Sequence, residues 1–388
     1  MIFEFDKAKT IIKCLLLTAV CILGASGCGR KNNIEQDTSG VAEIVVSTVE
    51  RSGEESETEV ESDEFTVESR IVDIIGSPVF GDYGRLIFPV DFEIDDSMEL
   101  KDISSILPWY SEINPQKAVE IVNYMKDAAS GGEQIFYDIY SDEEKKADSS
   151  KNDTGLFFFR GEEGAKSAIV NAGGGFVYVA GIHDSFPHAL ELSKKGYNAF
   201  ALIYRPGAQT ACEDLARAIA FLYENADELK IDMNDYSLWG GSAGARMAAW
   251  LGSYGTSAFG EKEYPRPAAV IMQYTGLSQI TGNEQPTYAC VGTGDGIASY
   301  RSMERYISAI RDNGTNAKIE VFTGLSHGFG LGEGTVAEGG LTMRQSSGKR
   351  TWGRINEQKI TDKNSYRYLY DIEPAVFDAV QPAWRDGT

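Results

Sequence analysis

Gly240-Gly241-Ser242-Ala243-Gly244, directly behind Tyr236-Ser237-Leu238-Trp239, is the stretch on which the fold turns. The run before it is apolar enough for a buried strand, and Ala245-Arg246-Met247-Ala248-Ala249-Trp250-Leu251 behind it has few breakers and reads as a helix. The five residues fit G-x-S-x-G at a sharp strand-to-helix turn. There the glycines let backbone pack close on both sides while the serine hydroxyl stands above the sheet. Alone the pattern is weak. With 41 Gly in 388 residues, chance supplies roughly 0.3 such matches per chain, so the surrounding sequence has to decide.

A serine at such an elbow needs a base to take its proton and a carboxylate to orient that base. The chain has 3 histidines. His327 lies in Leu325-Ser326-His327-Gly328-Phe329-Gly330, a glycine-rich loop behind the strand expected from Ala317 to Phe322. Asp295 lies in Gly292-Thr293-Gly294-Asp295-Gly296, behind the strand expected from Thr287 to Gly292. Taken singly, these are a loop histidine and an Asp-Gly turn. Taken together, the order Ser242, Asp295, His327, spaced by 53 and 32 residues, puts one group at each of three successive strand ends in the order of an elbow-serine hydrolase.

The tetrahedral oxyanion also needs hydrogen-bond donors. Asn171-Ala172-Gly173-Gly174-Gly175-Phe176 follows the strand expected from Ser167 to Val170, and its glycines present peptide N–H groups without a Cβ in the way. The donors expected are Gly174 and Gly175, joined by Ala243 behind the nucleophile. A phosphate-binding loop is the competing reading, but no G-x-x-x-x-G-K-[ST] follows.

Around these motifs the pattern alternates. Gln134 to Tyr140 and Gly155 to Arg160 read as an antiparallel opening pair. Helices are expected from Ser185 to Lys195, Cys212 to Asn225 and Ser299 to Asn313, and further strands from Ala199 to Tyr204 and Ala268 to Met272. Strands alternating with helices specify an α/β fold, a mainly parallel, doubly wound sheet with helices on both faces. Upstream, Asn114-Pro115 opens a helix with Ala118, Val119, Val122 and Met125 on its apolar face, stopped by Gly131-Gly132. Between Phe65 and Pro108 short β-rich runs such as Arg85-Leu86-Ile87-Phe88-Pro89-Val90 alternate with glycine turns.

By the elbow, its two partners and the glycine loop, the chain resembles the α/β-hydrolase esterase/lipase group. The resemblance is strongest to the branch with an HGGG-type oxyanion loop, which includes acetyl esterases acting on plant polysaccharides. It spans Glu133 to Gly340. Two departures stand out: Asn171-Ala172 occupy the place of the usual His-Gly, and Tyr204-Arg205-Pro206 matches the family's Tyr-Arg stretch only in part. The resemblance implies ester hydrolysis through an acyl-enzyme without metal or organic cofactor. Phe176, Tyr178, His183 and Tyr274 are the expected substrate contacts, and Arg205 is expected to pair with Asp214. A serine exopeptidase and a non-catalytic surface binding protein that kept the fold are the alternatives.

The N-terminus carries Lys7, Lys9 and Lys13, an apolar run from Leu15 to Leu23 too short to span a bilayer, and then Ala25-Ser26-Gly27-Cys28. This reads as a secretory signal over residues 1–27. It resembles a bacterial lipoprotein lipobox with Ala25 in the usual leucine position, and the resemblance implies a lipidated Cys28 holding the protein at the outer side of a cell membrane. Residues 32–64 hold 11 acids against one base and lack a packing pattern, so a disordered tether is expected from residue 28 to 64. About −10 of the net charge of −22 sits in residues 32–64, so the acidity says little about substrate. Without clustered Lys and Arg, nucleic acid is excluded as a partner. Of 5 cysteines, Cys14 and Cys21 leave with the signal, and Cys212 and Cys290 allow at most one disulfide.

The chain divides into signal (1–27), tether (28–64), N-terminal extension (65–132), catalytic domain (133–340) and tail (341–388). After Gly340 the helical and strand periods both stop, where this fold usually closes with an amphipathic helix. A reading-frame shift is one explanation of the break, and genuine in-frame sequence is the alternative. One set of permitted codons for the residues from Leu341 onward, read one base earlier, encodes a short amphipathic peptide followed by a stop.

Overall fold

A computed structural model describes residues 64–338, and the backbone alone of Met343–Ser346 and Lys349–Trp352. The signal, Cys28 and all of the tether except Glu64 lie outside the described residues, as does most of the tail.

The sheet begins with β1 (Phe136–Tyr137), β2 (Gly155–Phe159), β3 (Lys166–Asn171) and β4 (Asn198–Ile203). It continues with β5 (Asp232–Gly241), β6 (Ala269–Gln273), β7 (Thr287–Gly292) and β8 (Ala317–Phe322). Among the described residues these form one 8-stranded sheet in the order β1-β2-β4-β3-β5-β6-β7-β8. β2 runs antiparallel to both neighbours, and every pair from β4 to β8 is parallel. Strands β2, β4 and β7 are buried at every residue, as a sheet covered on both faces requires.

The longer helices are α1 (Pro115–Ser130), α2 (Ser185–Lys194), α3 (Ala208–Glu224), α4 (Ala243–Tyr254) and α5 (Tyr300–Asp312). Asn114 caps α1, its side chain accepting the Gln116 N–H at 3.1 Å, with Pro115 at the first helical position. Helix α2 packs on β3 and β4 and carries α1 behind it, whereas α4 packs on β5 and β6 and carries α3. The split follows from right-handed crossovers: the chain moves one way from β3 to β4 and the other way from β4 to β5. That reversal leaves the carboxyl ends of β3 and β5 side by side with their loops diverging, which is where open α/β sheets place ligands.

The apolar run from Arg85 to Val90 is not a strand. Pro78–Ile87 forms 3₁₀ turns, kinked at Gly81 (φ 49°), and no partner strand lies beside it. Leu86, Ile87 and Phe88 are buried, so their hydrophobicity serves packing rather than a ladder. Gly84 is required there because a Cβ would meet the Ile75 carbonyl oxygen at 2.4 Å. In the tail, Met343–Ser346 pairs antiparallel with Lys349–Trp352 where no regular element is expected; the frame-shift reading otherwise concerns residues outside those described.

Candidate active site

The elbow is built by steric necessity. Ser242 has φ 50° and ψ −112°, a backbone conformation costly for a residue with a Cβ and held here by its surroundings. A Cβ on Gly240 would meet the Gly244 carbonyl carbon at 2.3 Å, and one on Gly244 would meet the Asn171 oxygen at 2.0 Å. Glycine at both positions therefore lets β5, β3 and the first turn of α4 approach closely enough to lift Ser242 above the sheet. The Ser242 N–H donates to the Gln273 carbonyl at 3.0 Å, tying the turn to β6.

His327 and Asp295 meet Ser242 from the loops behind β8 and β7. The Ser242 hydroxyl lies 3.0 Å from His327 Nε2, and His327 Nδ1 lies 2.8 Å from Asp295 Oδ2. The other carboxylate oxygen, Oδ1, accepts the N–H groups of Ile297 at 2.8 Å and Ala298 at 2.6 Å. Two fixed donors on one oxygen leave the second to orient the imidazole, with Nδ1 as the donor and Nε2 open to the serine proton. The Asp295 side chain is fully buried, which strengthens this bond.

The three-glycine loop stands opposite. Gly174 (φ 122°) and Gly175 (φ 65°) adopt conformations that favour glycine. Their N–H groups, and that of Ala243 at the start of α4, meet no acceptor among the described residues. The Gly173 N–H differs: it donates to Asp184 Oδ2 at 2.6 Å. Ser242, His327 and Asp295 thus form one hydrogen-bonded line, and the glycine loop abuts it: a Cβ on Gly173 would lie 2.8 Å from Ser242 Cβ.

Of the expected substrate contacts, Phe176 keeps a partly open position, its ring stacked on Trp250 at 6.0 Å. Tyr178 and Tyr274 are corrections, because burial and hydrogen bonding consume them, whereas His183 is half-buried and lines a cavity with Phe329 and Leu331. Tyr178 is buried, packs on Phe92 and Trp109, and its hydroxyl donates to the Pro108 carbonyl. Tyr274 is buried under His327, and its hydroxyl donates to Asp184 Oδ1 at 2.5 Å. His183 bonds the Gly328 carbonyl through Nε2 at 3.0 Å and packs edge-on against Tyr110. The two tyrosines support loops of the site from within the core, and His183 braces the His327 loop through Gly328. Arg205 pairs with Asp214 through Nε and Nη2, at 3.0 and 2.7 Å to Oδ1, and touches no site residue.

Sequence reasoning missed Asp184 and the segment Pro108–Ser111. Asp184 reads locally as a helix cap, and it does stand at the N-cap of α2, but its carboxylate makes no capping bond. The local hint is an acid at a helix N-cap behind a glycine loop, a common and uninformative pattern.

Residues 160–286 match the family model BD-FAE, an esterase family of α/β-hydrolase type. Comparison with curated proteins returns no match. Among solved structures the chain is similar to MGS-M1, an α/β-hydrolase enzyme from a Medee basin deep-sea metagenome library. That pair shares 20% identity over 48% of this chain and 83% of the other, at TM-score 0.42. It is also similar to the acetyl ester-xyloside bifunctional hydrolase from Caldicellulosiruptor lactoaceticus, with 18% identity over 52% and 90% and TM-score 0.46. Esterase 2 of Thermogutta terrifontis, in its apo form, matches at 18% identity over 45% and 80%, with TM-score 0.38. The parallel sheet with its switch between β3 and β5 and the elbow at Ser242 give the chain the α/β-hydrolase fold, and residues 160–286 within it are similar to the BD-FAE esterase family.

Proposed function

We propose that the protein is a serine carboxylic-ester hydrolase that deacylates small acyl esters, including those of carbohydrates, through an acyl-enzyme. Ser242 attacks the ester carbonyl while His327 Nε2 takes its proton. The oxyanion is held by the N–H groups of Gly174, Gly175 and Ala243. His327 then returns the proton to the leaving alcohol, and a water activated by the same imidazole releases the acid. Asp295 keeps the proton on Nδ1 and stabilises the imidazolium. The observation that carries this reading is the continuous line from Asp295 Oδ2 through His327 to Ser242 Oγ, at 2.8 and 3.0 Å, beside a glycine loop whose Gly174 and Gly175 N–H groups meet no acceptor among the described residues.

Lipidation of Cys28 and residence on the outer face of a bacterial membrane belong to the same proposal; they rest on the N-terminal sequence. Radiolabelled fatty acid should enter the wild type and not Cys28→Ala.

Fluorophosphonate labelling tests the chemistry. The wild type takes one label and Ser242→Ala takes none. A well-folded wild type that stays unlabelled, and that hydrolyses no nitrophenyl acyl ester and no acetylated xylan, sinks the proposal.

A further inference from the structure

Asp184 is a buried carboxylate beside the site that the hydrolytic chemistry leaves unused. It is 1% exposed, and its carboxylate gathers three donors from three parts of the chain. Oδ2 accepts the Gly173 N–H at 2.6 Å and the Tyr110 hydroxyl at 2.8 Å, while Oδ1 accepts the Tyr274 hydroxyl at 2.5 Å. Burial, and then the Asp184 charge, hold both phenols well above the usual tyrosine range, so they remain protonated donors. Gly241, one residue before the nucleophile, lacks a Cβ that would lie 2.5 Å from Asp184 Oδ1. The carboxylate thus sits directly beneath the elbow and the glycine loop.

Tyr110 brings in a strap from outside the strand–helix repeat. Pro108–Ser111 crosses between the two loops that flank Ser242. On one side the Pro108 carbonyl accepts the Tyr178 hydroxyl, and the Trp109 ring lies over Gly175, where a Cβ would come within 3.0 Å of it. On the other side the Ser111 hydroxyl donates to the His327 carbonyl at 2.9 Å and the Ser111 N–H to the Gly328 carbonyl at 3.2 Å. Trp109 has φ 75°, a strained value for a residue with a side chain. Bonds on both sides hold the strap in that shape.

Resting on the esterase reading above, we infer that Pro108–Ser111 is part of the active site and that Tyr110, acting through Asp184, is a positioning residue for the oxyanion loop. By holding the Gly173 N–H, Asp184 sets the rotation of the next two peptides, which leaves the Gly174 and Gly175 N–H groups free to face the nucleophile. By bonding His327 and Gly328, the same strap fixes the base loop against the oxyanion loop. A shift of a few tenths of an ångström between donors and serine weakens the transition state more than substrate binding, so the effect falls on kcat.

Tyr110→Phe removes one oxygen and keeps the ring; Asp184→Asn removes the charge. Rates on 4-nitrophenyl acetate are to be expressed per active site titrated with fluorophosphonate, which discounts misfolded protein. We expect kcat to fall about tenfold in Tyr110→Phe and about a hundredfold in Asp184→Asn, with KM within about twofold of wild type. Amide exchange should speed up over residues 173–178 while α4 keeps its protection. If Asp184→Asn fails to fold, Tyr110→Phe decides alone. A kcat per titrated site within twofold of wild type, with unchanged exchange at residues 173–178, overturns the inference. If the wild type hydrolyses no ester, the esterase reading falls, and the exchange arm still judges the strap.

Discussion

Asp295→Asn tests the catalytic line most sharply, because the backbone dictates which way the new amide must face. Asp295 Oδ1 accepts two peptide N–H groups, from Ile297 at 2.8 Å and Ala298 at 2.6 Å. An amide nitrogen placed there would oppose two donors, so the asparagine oxygen has to take that position. Its NH₂ then faces His327 Nδ1, which lies 2.8 Å from the oxygen it replaces. A donor in that place makes Nδ1 the acceptor and moves the ring proton to Nε2, which now donates to the Ser242 hydroxyl instead of accepting from it. The serine loses its base while every heavy atom stays in place. The expected loss is on the order of 10⁴ in kcat, or about 5 kcal/mol of transition-state stabilisation. The urea midpoint should stay near that of wild type, because both peptide bonds to the side chain survive. Steady-state kinetics on 4-nitrophenyl acetate, normalised to folded protein, provide the measurement. Activity within tenfold of wild type would show that His327 draws no orientation from Asp295 and refute the reasoning.

Three further outcomes follow from the packing. Gly244→Ala puts a Cβ 2.0 Å from the Asn171 carbonyl oxygen, so α4 and β3 must part by about 1 Å. It should cost at least about 3 kcal/mol, at the upper end of overpacking effects, visible as insoluble protein or a large drop in urea midpoint. Asp214→Asn removes the buried carboxylate that Arg205 bonds through Nε and Nη2 and leaves Asp148, 2.9 Å from Nη1, as its remaining charged partner. A loss of about 2–3 kcal/mol is expected, less than the roughly 3–5 kcal/mol of a fully unpaired buried charge, and a loss below about 1 kcal/mol would show that Asp148 alone satisfies the guanidinium. His188 is buried, and burial lowers its pKa from 6.5 to about 4. Between those values the unfolded chain binds a proton that the folded one refuses, so stability is present above pH 6.5 and is lost as pH falls toward 4. This one ring accounts for on the order of 3 kcal/mol. His188→Gln should flatten that slope in urea titrations across the window; parallel curves for the two proteins would exclude His188 as the cause.

The site divides by whether its partners stand at the ends of strands. Ser242, Asp295 and His327 are legible in the sequence because each follows its own strand, and a parallel sheet gathers strand ends on one edge. The glycine loop is legible for the same reason. Tyr110 and Tyr274 reach Asp184 across 74 and 90 residues, and neither local segment has a period that records the contact. Tyr178 and Tyr274 show a related ambiguity: an aromatic residue near a strand end has the same local pattern whether its ring lines a pocket or supports it from below. The run from Arg85 to Val90 illustrates another gap, since buried 3₁₀ turns and buried strands can be equally apolar over so few residues.

By itself the sequence determined the alternation of strands and helices, the placing of three chemical groups at three strand ends, and the glycines without which the elbow cannot close. Those are properties of neighbours in the chain, written in periodicity and in side-chain size. Only the tertiary structure decided which aromatic rings support the site, that Asp184 binds a loop amide rather than capping its helix, and that a strap from the N-terminal extension spans the oxyanion and base loops. Those contacts join segments whose separation in sequence carries no pattern, and burial selects them only once the sheet has formed.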